Sequence, residues 1–253
     1  MKQIISITNQ KGGVGKSTTT QALGYGYLLK GFKVLLIDLD PQGNLSYSLQ
    51  SNPEYYSILD VLTKKIKVVE AIQEVEGGIN LISSSPSLSG LDIELNQTGK
   101  EYKLKEALEP IKDKYDYIII DTPPSLGILT VNALTVSTWT IIPAQADIYS
   151  LQGIGQFYNT VNAVKQYCNN SLIIKGILLT MFDNRTILSR DMQEMINDTA
   201  QKLGTKLFKT TIRKNVAIKE AQAYKKNIYA YSPKSNASID YQMFIKELEE
   251  NNE

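Results

Sequence analysis

The chain of 253 residues has no histidine and one cysteine, Cys168. That excludes histidine-based acid–base chemistry, Ser–His triads, histidine metal sites and an internal disulfide. Its 27 basic and 26 acidic side chains leave a formal net charge of +1, so overall charge selects no partner.

From the N-terminus, nearly continuous apolar runs predict strands at residues 4–7, 34–37, 79–82, 118–120, 140–142 and 173–179. Runs of this kind suit strands buried on both faces of a parallel sheet. The stretches between them predict helices over 16–30, 102–112, 128–136, 151–167 and 188–202, with a last helix over 237–250. Repeated β–α alternation predicts a single α/β domain over residues 1–253, a mostly parallel twisted sheet flanked by helices. The serine run 83–87 reads as a loop that ends in a helix cap. No run approaches the roughly 18 apolar residues of a membrane span. The apolar part of the N-terminus is too short for a secretory signal. A lone thiol suits a reducing compartment, so the expected location is the cytoplasm.

The strongest motif is Gln10-Lys11-Gly12-Gly13-Val14-Gly15-Lys16-Ser17-Thr18, set between a predicted strand and a predicted helix. That is the context of a phosphate-binding loop. Glycines let successive N–H groups turn toward phosphate oxygens, and the following helix adds its positive end. Gly12, Gly13, Val14, Gly15, Lys16, Ser17 and Thr18 are therefore candidate nucleotide-binding residues. Lys16 would reach the β- and γ-phosphates, and the Ser17 hydroxyl would bind Mg²⁺. Two further strands run into acidic loops, Ile37-Asp38-Leu39-Asp40-Pro41 and Ile120-Asp121-Thr122-Pro123-Pro124. In a parallel sheet they end at the same edge as the loop. Asp121 has the form of an aspartate that holds the Mg²⁺ shell. Asp40 is placed to orient an attacking water, and Asp38 to support the Mg²⁺ region or the loop.

The loop departs from GxxxxGK[ST]: Gln10 stands at the first glycine position and Lys11 follows it. This form resembles the deviant Walker A ATPases, in which the extra lysine reaches the partner's phosphates across a nucleotide-sandwich dimer. The stretches ITNQKGGVGKSTTT, VLLIDLDPQGN, YDYIIIDTPPSLGILTVNAL, GILLTMFDNRT and YSPKSNASIDY are similar to those of the Soj/ParA family of DNA-partitioning ATPases. The resemblance covers residues 2–248. It implies a P-loop NTPase fold, ATP and Mg²⁺ as ligands, and Lys11, Lys16 and Asp40 as the catalytic set. It also implies an ATP-dependent homodimer that binds double-stranded DNA non-specifically and is nucleoid-associated while ATP is bound. A ParB-type centromere-binding partner would stimulate hydrolysis. The loop lies so near Met1 that no N-terminal helix-turn-helix domain of the longer relatives is expected.

Nine basic residues lie between Lys202 and Lys234, opposed only by Glu220. Such a local excess binds phosphates without reading sequence. The resemblance adds Arg185 as a DNA-binding candidate. A second family arginine is replaced by Ala217, and Arg213, Lys214 and Lys219 stand close enough to replace its charge. Two other readings compete. A MinD-like ATPase would need a basic amphipathic C-terminal helix, whereas this chain ends in acidic residues that an anionic bilayer repels. A nucleotide-gated scaffold with little turnover would keep the same loop. A reductase of the nitrogenase-iron-protein type would need paired cysteines.

Overall fold

Val34, Leu35, Leu36 and Ile37 alternate between the two faces of a sheet, and all four are buried. Leu36 packs among residues of the helices on one face, Leu35 and Ile37 among those on the other. An unbroken apolar run is thus what a strand covered on both sides requires. In the computed structural model, which describes residues 2–91 and 98–250, the same logic holds along the sheet. The last three residues of the acidic C-terminal stretch, 251–253, lie outside the described residues.

The strands are β1 (Gln3–Ile7), β2 (Val34–Asp38), β3 (Ile72–Val75), β4 (Ile79–Ile82), β5 (Tyr117–Asp121), β6 (Trp139–Ala144) and β7 (Ile173–Leu179). Their order is β3-β4-β2-β5-β1-β6-β7, and only β3 runs antiparallel to its neighbour. The helices, numbered in chain order, are α1 (Lys16–Leu29), α2 (Asn44–Ser48), α3 (Ile58–Leu62), α4 (Lys103–Leu108), α5 (Ile128–Val136), α6 (Ile148–Tyr167), α7 (Ile187–Lys202), α8 (Val216–Ala223), α9 (Ile228–Tyr231) and α10 (Asn236–Glu250). One face of the sheet packs on α1, α8, α9 and α10; the other packs on α3 to α7.

The expected α/β fold is present, with differences of detail: helices α2, α3, α8 and α9 lie outside the expected helical stretches. Strand β3 was not anticipated. The helix expected over 102–112 is confined to Lys103–Leu108, because Pro110 lacks the N–H that would bond the Glu106 carbonyl. The helix expected from 151 starts at Ile148, where Asp147 caps it by accepting from the Ser150 N–H at 2.8 Å. The serine run does end in a cap: Ser85 Oγ accepts from the Ser87 N–H.

Helix α1 approaches both layers closely. A Cβ on Gly24 would lie 2.7 Å from Leu36 Cδ2, and one on Gly26 would lie 2.1 Å from Ile245 Cδ1. Helix α10 lies on the same side and buries Tyr241, Phe244, Ile245 and Leu248. Its apolar face is therefore spent on the core rather than offered to a bilayer. Among the described residues, no helix is long and apolar enough to cross a membrane. At the start of β6, the buried Trp139 ring lies 4.0 Å beneath the Lys175 ammonium.

Candidate nucleotide site

The sheet order places β1 between β5 and β6, with β2 beyond β5. The loops that leave β1, β2, β5 and β7 therefore converge at one edge. The first runs from Thr8 to Gly15 and is tied at several points. Asn9 Nδ2 donates to the Pro143 carbonyl at 2.7 Å, while Asn9 Oδ1 accepts from the Lys11 N–H at 3.0 Å. Thr180, just past β7, donates to the Val14 carbonyl at 2.8 Å. Val14 itself is buried. Gly13 and Gly15 have φ of 73° and 85°, a left-handed backbone that glycine adopts without strain. Gly15 then caps α1, so the N–H groups of its first turn face the loop.

Lys16 folds back over this loop and donates to the Lys11 carbonyl at 3.2 Å. Burial lowers its pKa; the charges of Asp121 and Asp40 work in the other direction. The ammonium thus stands between the loop and the two acidic strand ends. Asp121, at the end of β5, is fully buried beside Ser17, and among the described residues neither of its carboxylate oxygens meets a donor at hydrogen-bonding geometry. Burial, then the charge of Asp38, raise its pKa well above the ordinary carboxylate value.

Asp38 is used differently. Its Oδ1 accepts from the Asp40 N–H at 3.1 Å, and its Oδ2 accepts from the Ser46 N–H and hydroxyl at 2.8 and 2.7 Å. It anchors the loop that carries Asp40. Ser84 completes that anchorage, donating its hydroxyl to the Asp40 carbonyl and its N–H to Ser46 Oγ. Asp40 is buried, with Oδ1 accepting from the Gln42 N–H.

Among the described residues, no three acidic or cysteine side chains converge on a metal position. A pair of unpartnered oxygens on Asp121, with Ser17 close by, still fits Mg²⁺. That ion takes one or two protein oxygens and completes its shell with phosphates and water.

Burial raises the Asp38 pKa from 3.8 to about 6, and the Ser46 and Asp40 hydrogen bonds offset only part of that. A carboxyl whose pKa is raised on folding stabilises the folded chain while it is protonated. That contribution is complete below about 4 and is lost as the pH rises through about 6. The unfolding midpoint of the ligand-free protein should therefore rise by several degrees between pH 7.5 and 5.5. Differential scanning calorimetry checks this, and a flat or falling midpoint across that window would count against it.

Lys11 does not point into the cleft. Its ammonium forms an ion pair with Asp147, the cap of α6, and lies 3.5 Å from Ser150 Oγ. Burial alone would raise the Asp147 pKa; the Lys11 contact and the Ser150 N–H bring it below the usual carboxylate range. Sequence reasoning missed Asp147, although Asp immediately before a helical run is an N-cap signal. It also missed Thr180, Ser46 and Ser84, whose roles are purely tertiary.

A cavity of about 540 Å³ opens over the loop; Gly12, Gly13, Gly15, Lys16, Ser17, Thr18 and Asp40 line it, together with Tyr47, Met181 and Gln222 among others. Its size suits a small-molecule ligand.

A second feature lies beside it. Phe182 pairs with Arg213, which sets the loop after β7 against the loop before α8. Arg185, Arg213 and Lys214 thereby line one depression, with Asn184 and Asn236. Neither arginine stands alone. Arg185 makes a two-point contact with Asp183 at 2.8 and 2.7 Å, which lowers the Asp183 pKa to about 2. Arg213 forks onto the buried Asp240, with its Nη2 at 2.6 Å from Oδ1. Lys214 and Lys219 are exposed. Ala217 is buried in the core.

A family model described as an AAA domain matches residues 2–174. The sporulation initiation inhibitor protein Soj of Bacillus subtilis is 42% identical over 255 residues, covering 99% of this chain and 100% of that protein. The chromosome partitioning protein ParA of Caulobacter vibrioides is 38% identical, covering 97% of this chain and 93% of its own length. Among solved structures, a cobyrinic acid a,c-diamide synthase from Mycobacterium smegmatis, holding ADP and magnesium, superposes with a TM-score of 0.84. It is 34% identical, and the match covers 97% of this chain and 93% of that one. Similarity at this level over the whole length of the Bacillus protein makes the chain a member of the Soj/ParA family.

Proposed function

We propose that the chain is a DNA-partitioning ATPase that binds ATP and Mg²⁺ and acts as a homodimer. The observation that carries this reading is the convergence of Lys16, Asp40 and Asp121 at one sheet edge, over a loop built to hold phosphates. The backbone N–H groups from Gly12 to Thr18 bind the phosphates, and Lys16 neutralises charge on the β- and γ-groups. Ser17 and Asp121 hold Mg²⁺, which when bound neutralises phosphate charge. Asp38 holds the loop in place, and Asp40 orients the attacking water. Lys11 from the partner subunit adds positive charge where it accumulates during phosphoryl transfer.

The ATP-bound dimer binds double-stranded DNA without regard to sequence. Arg185, Arg213, Lys214 and Lys219 contribute to that surface, and Lys214 and Lys219 carry the freer charge. Doubling the surface in a dimer raises avidity. Strand β7 links the two regions, because Thr180 holds the phosphate loop and Phe182 holds the Arg213 loop. Hydrolysis, stimulated by a ParB-type centromere-binding protein, releases the DNA and moves plasmid or chromosomal cargo. The location is cytoplasmic, on the nucleoid while ATP is bound. The membrane-positioning alternative is disfavoured by the buried apolar face of α10.

Gel-shift with arbitrary duplex DNA at one fixed salt concentration tests this, with ATP, ADP or no nucleotide present. Retardation is expected with ATP alone. Reversing charge at Lys214 and Lys219 should weaken it at least tenfold, since several phosphate contacts disappear together. Equal retardation in all three states, or none in any, would overturn the nucleotide-gated reading. Unchanged affinity in the charge-reversed protein would remove those two lysines from the surface.

A further inference from the structure

We propose that Gln145 is a positioning residue for the phosphate loop, fixing one peptide so that the Val14 N–H faces the phosphates; this rests on the nucleotide reading above. Gln145 is the first residue after β6. Its Nε2 donates to the Gly13 carbonyl at 3.1 Å and lies 3.2 Å from the Met181 sulfur. A carbonyl oxygen and a thioether can only accept, so the amide nitrogen is the end that must face them. The orientation of the side chain therefore follows from its partners. Its backbone is held as well, since the Gln145 N–H donates to Ser150 Oγ at 3.3 Å.

The loop needs such an anchor. Gly13, with φ of 73°, tolerates either direction of the peptide that follows it. In a trans peptide the C=O and N–H point opposite ways. Among the described residues that line the cavity, Gly13 is present and Gln145 is not. Drawing the Gly13 carbonyl out of the cavity onto Gln145 thus turns the Val14 N–H inward. That N–H meets no acceptor among the described residues. Were the peptide to turn over, a carbonyl would oppose the anion where a donor should meet it. Thr180 holds the next carbonyl, that of Val14, in the same manner. The two anchors come from the ends of the neighbouring strands β6 and β7, and Met181 joins them by following Thr180 and touching the Gln145 amide.

Gly13-Val14 is the chain's single Gly–Val pair. Protein labelled with ¹³C-carbonyl glycine and ¹⁵N-valine therefore gives one amide signal in a carbonyl-edited NMR spectrum, from this peptide. In the wild type, saturating ADP and Mg²⁺ should move the Val14 amide proton downfield, the mark of a charge-assisted bond to phosphate. Gln145→Met keeps the length of the side chain and removes the donor. Gln145→Glu keeps its shape and puts an acceptor in the donor's place. In both variants the downfield move should be lost, and calorimetry should show ADP bound roughly tenfold more weakly, about the worth of one hydrogen bond to a charged group. A role in packing alone would leave the Val14 shift intact in the glutamate variant. Should one variant fail to fold, the other and the wild type still decide. A Val14 proton that stays in place when the wild type binds ADP, or one that still moves downfield in either variant, would overturn the inference alone. Failure of the wild type to bind ADP would overturn the nucleotide reading and this inference with it.

Discussion

Replacing Lys16 with methionine is expected to lower ATP turnover by on the order of 10²–10³, the range typical of removing one preorganised electrostatic contact to a developing charge. The side chain is held where that charge develops. It arches over the loop to the Lys11 carbonyl and faces Asp40 and Asp121 across the cleft. Methionine keeps the aliphatic stem and its packing while removing the ammonium. Asp40 and Asp121 then lose the cation that faces them, so the variant should also hold nucleotide more weakly. Steady-state phosphate release, with circular dichroism confirming the fold, checks the prediction. Turnover within tenfold of the wild type would show that the phosphates lie elsewhere. A wild type that binds ATP but never turns it over would favour the nucleotide-gated scaffold.

The second large effect is expected at Lys11. In the single chain its ammonium rests on its own Asp147. To act on a partner's phosphates it must leave that pair. Lys11→Ala should reduce turnover by on the order of 10³, as removal of a cation supplied in trans does in other phosphoryl-transfer enzymes. Nucleotide binding by each chain should stay within severalfold, because the loop's own donors are untouched. A mixing experiment separates action in trans from action in cis. Lys11→Ala chains and Asp40→Ala chains should each be inactive alone. Together they form mixed dimers with one complete site, so an equal mixture should recover roughly a quarter of wild-type turnover. No recovery on mixing would mean that Lys11 acts within its own subunit.

How far the sequence announced this arrangement depends on whether the signal is local. Strands β1, β2, β4, β5, β6 and β7 coincide with mostly buried apolar runs, which are legible without any partner. Strand β3 alternates, with Gln73 buried and Glu74 exposed, and it pairs only at the sheet edge with β4. Helices α2, α3 and α9 have four or five residues each, too few to show a helical period. The phosphate loop was readable because one short segment supplies both its backbone and its side chains. Its supports were not. Asn9 meets Pro143, Thr180 meets Val14 and Gln222 meets Thr18 across 134, 166 and 204 residues of chain. Charge counting had a similar limit. The basic stretch looked opposed by Glu220 alone, yet the fold returns Asp240 to Arg213 from outside the stretch.

The position of Trp139 has a practical consequence. This indole, the chain's single tryptophan, opens β6, whereas the phosphate loop and both acidic loops leave the opposite ends of the strands. Its emission is therefore expected to follow the integrity of the sheet. The protein carries a built-in fluorescent gauge of global unfolding, against which changes at the nucleotide end can be followed separately with a labelled ligand.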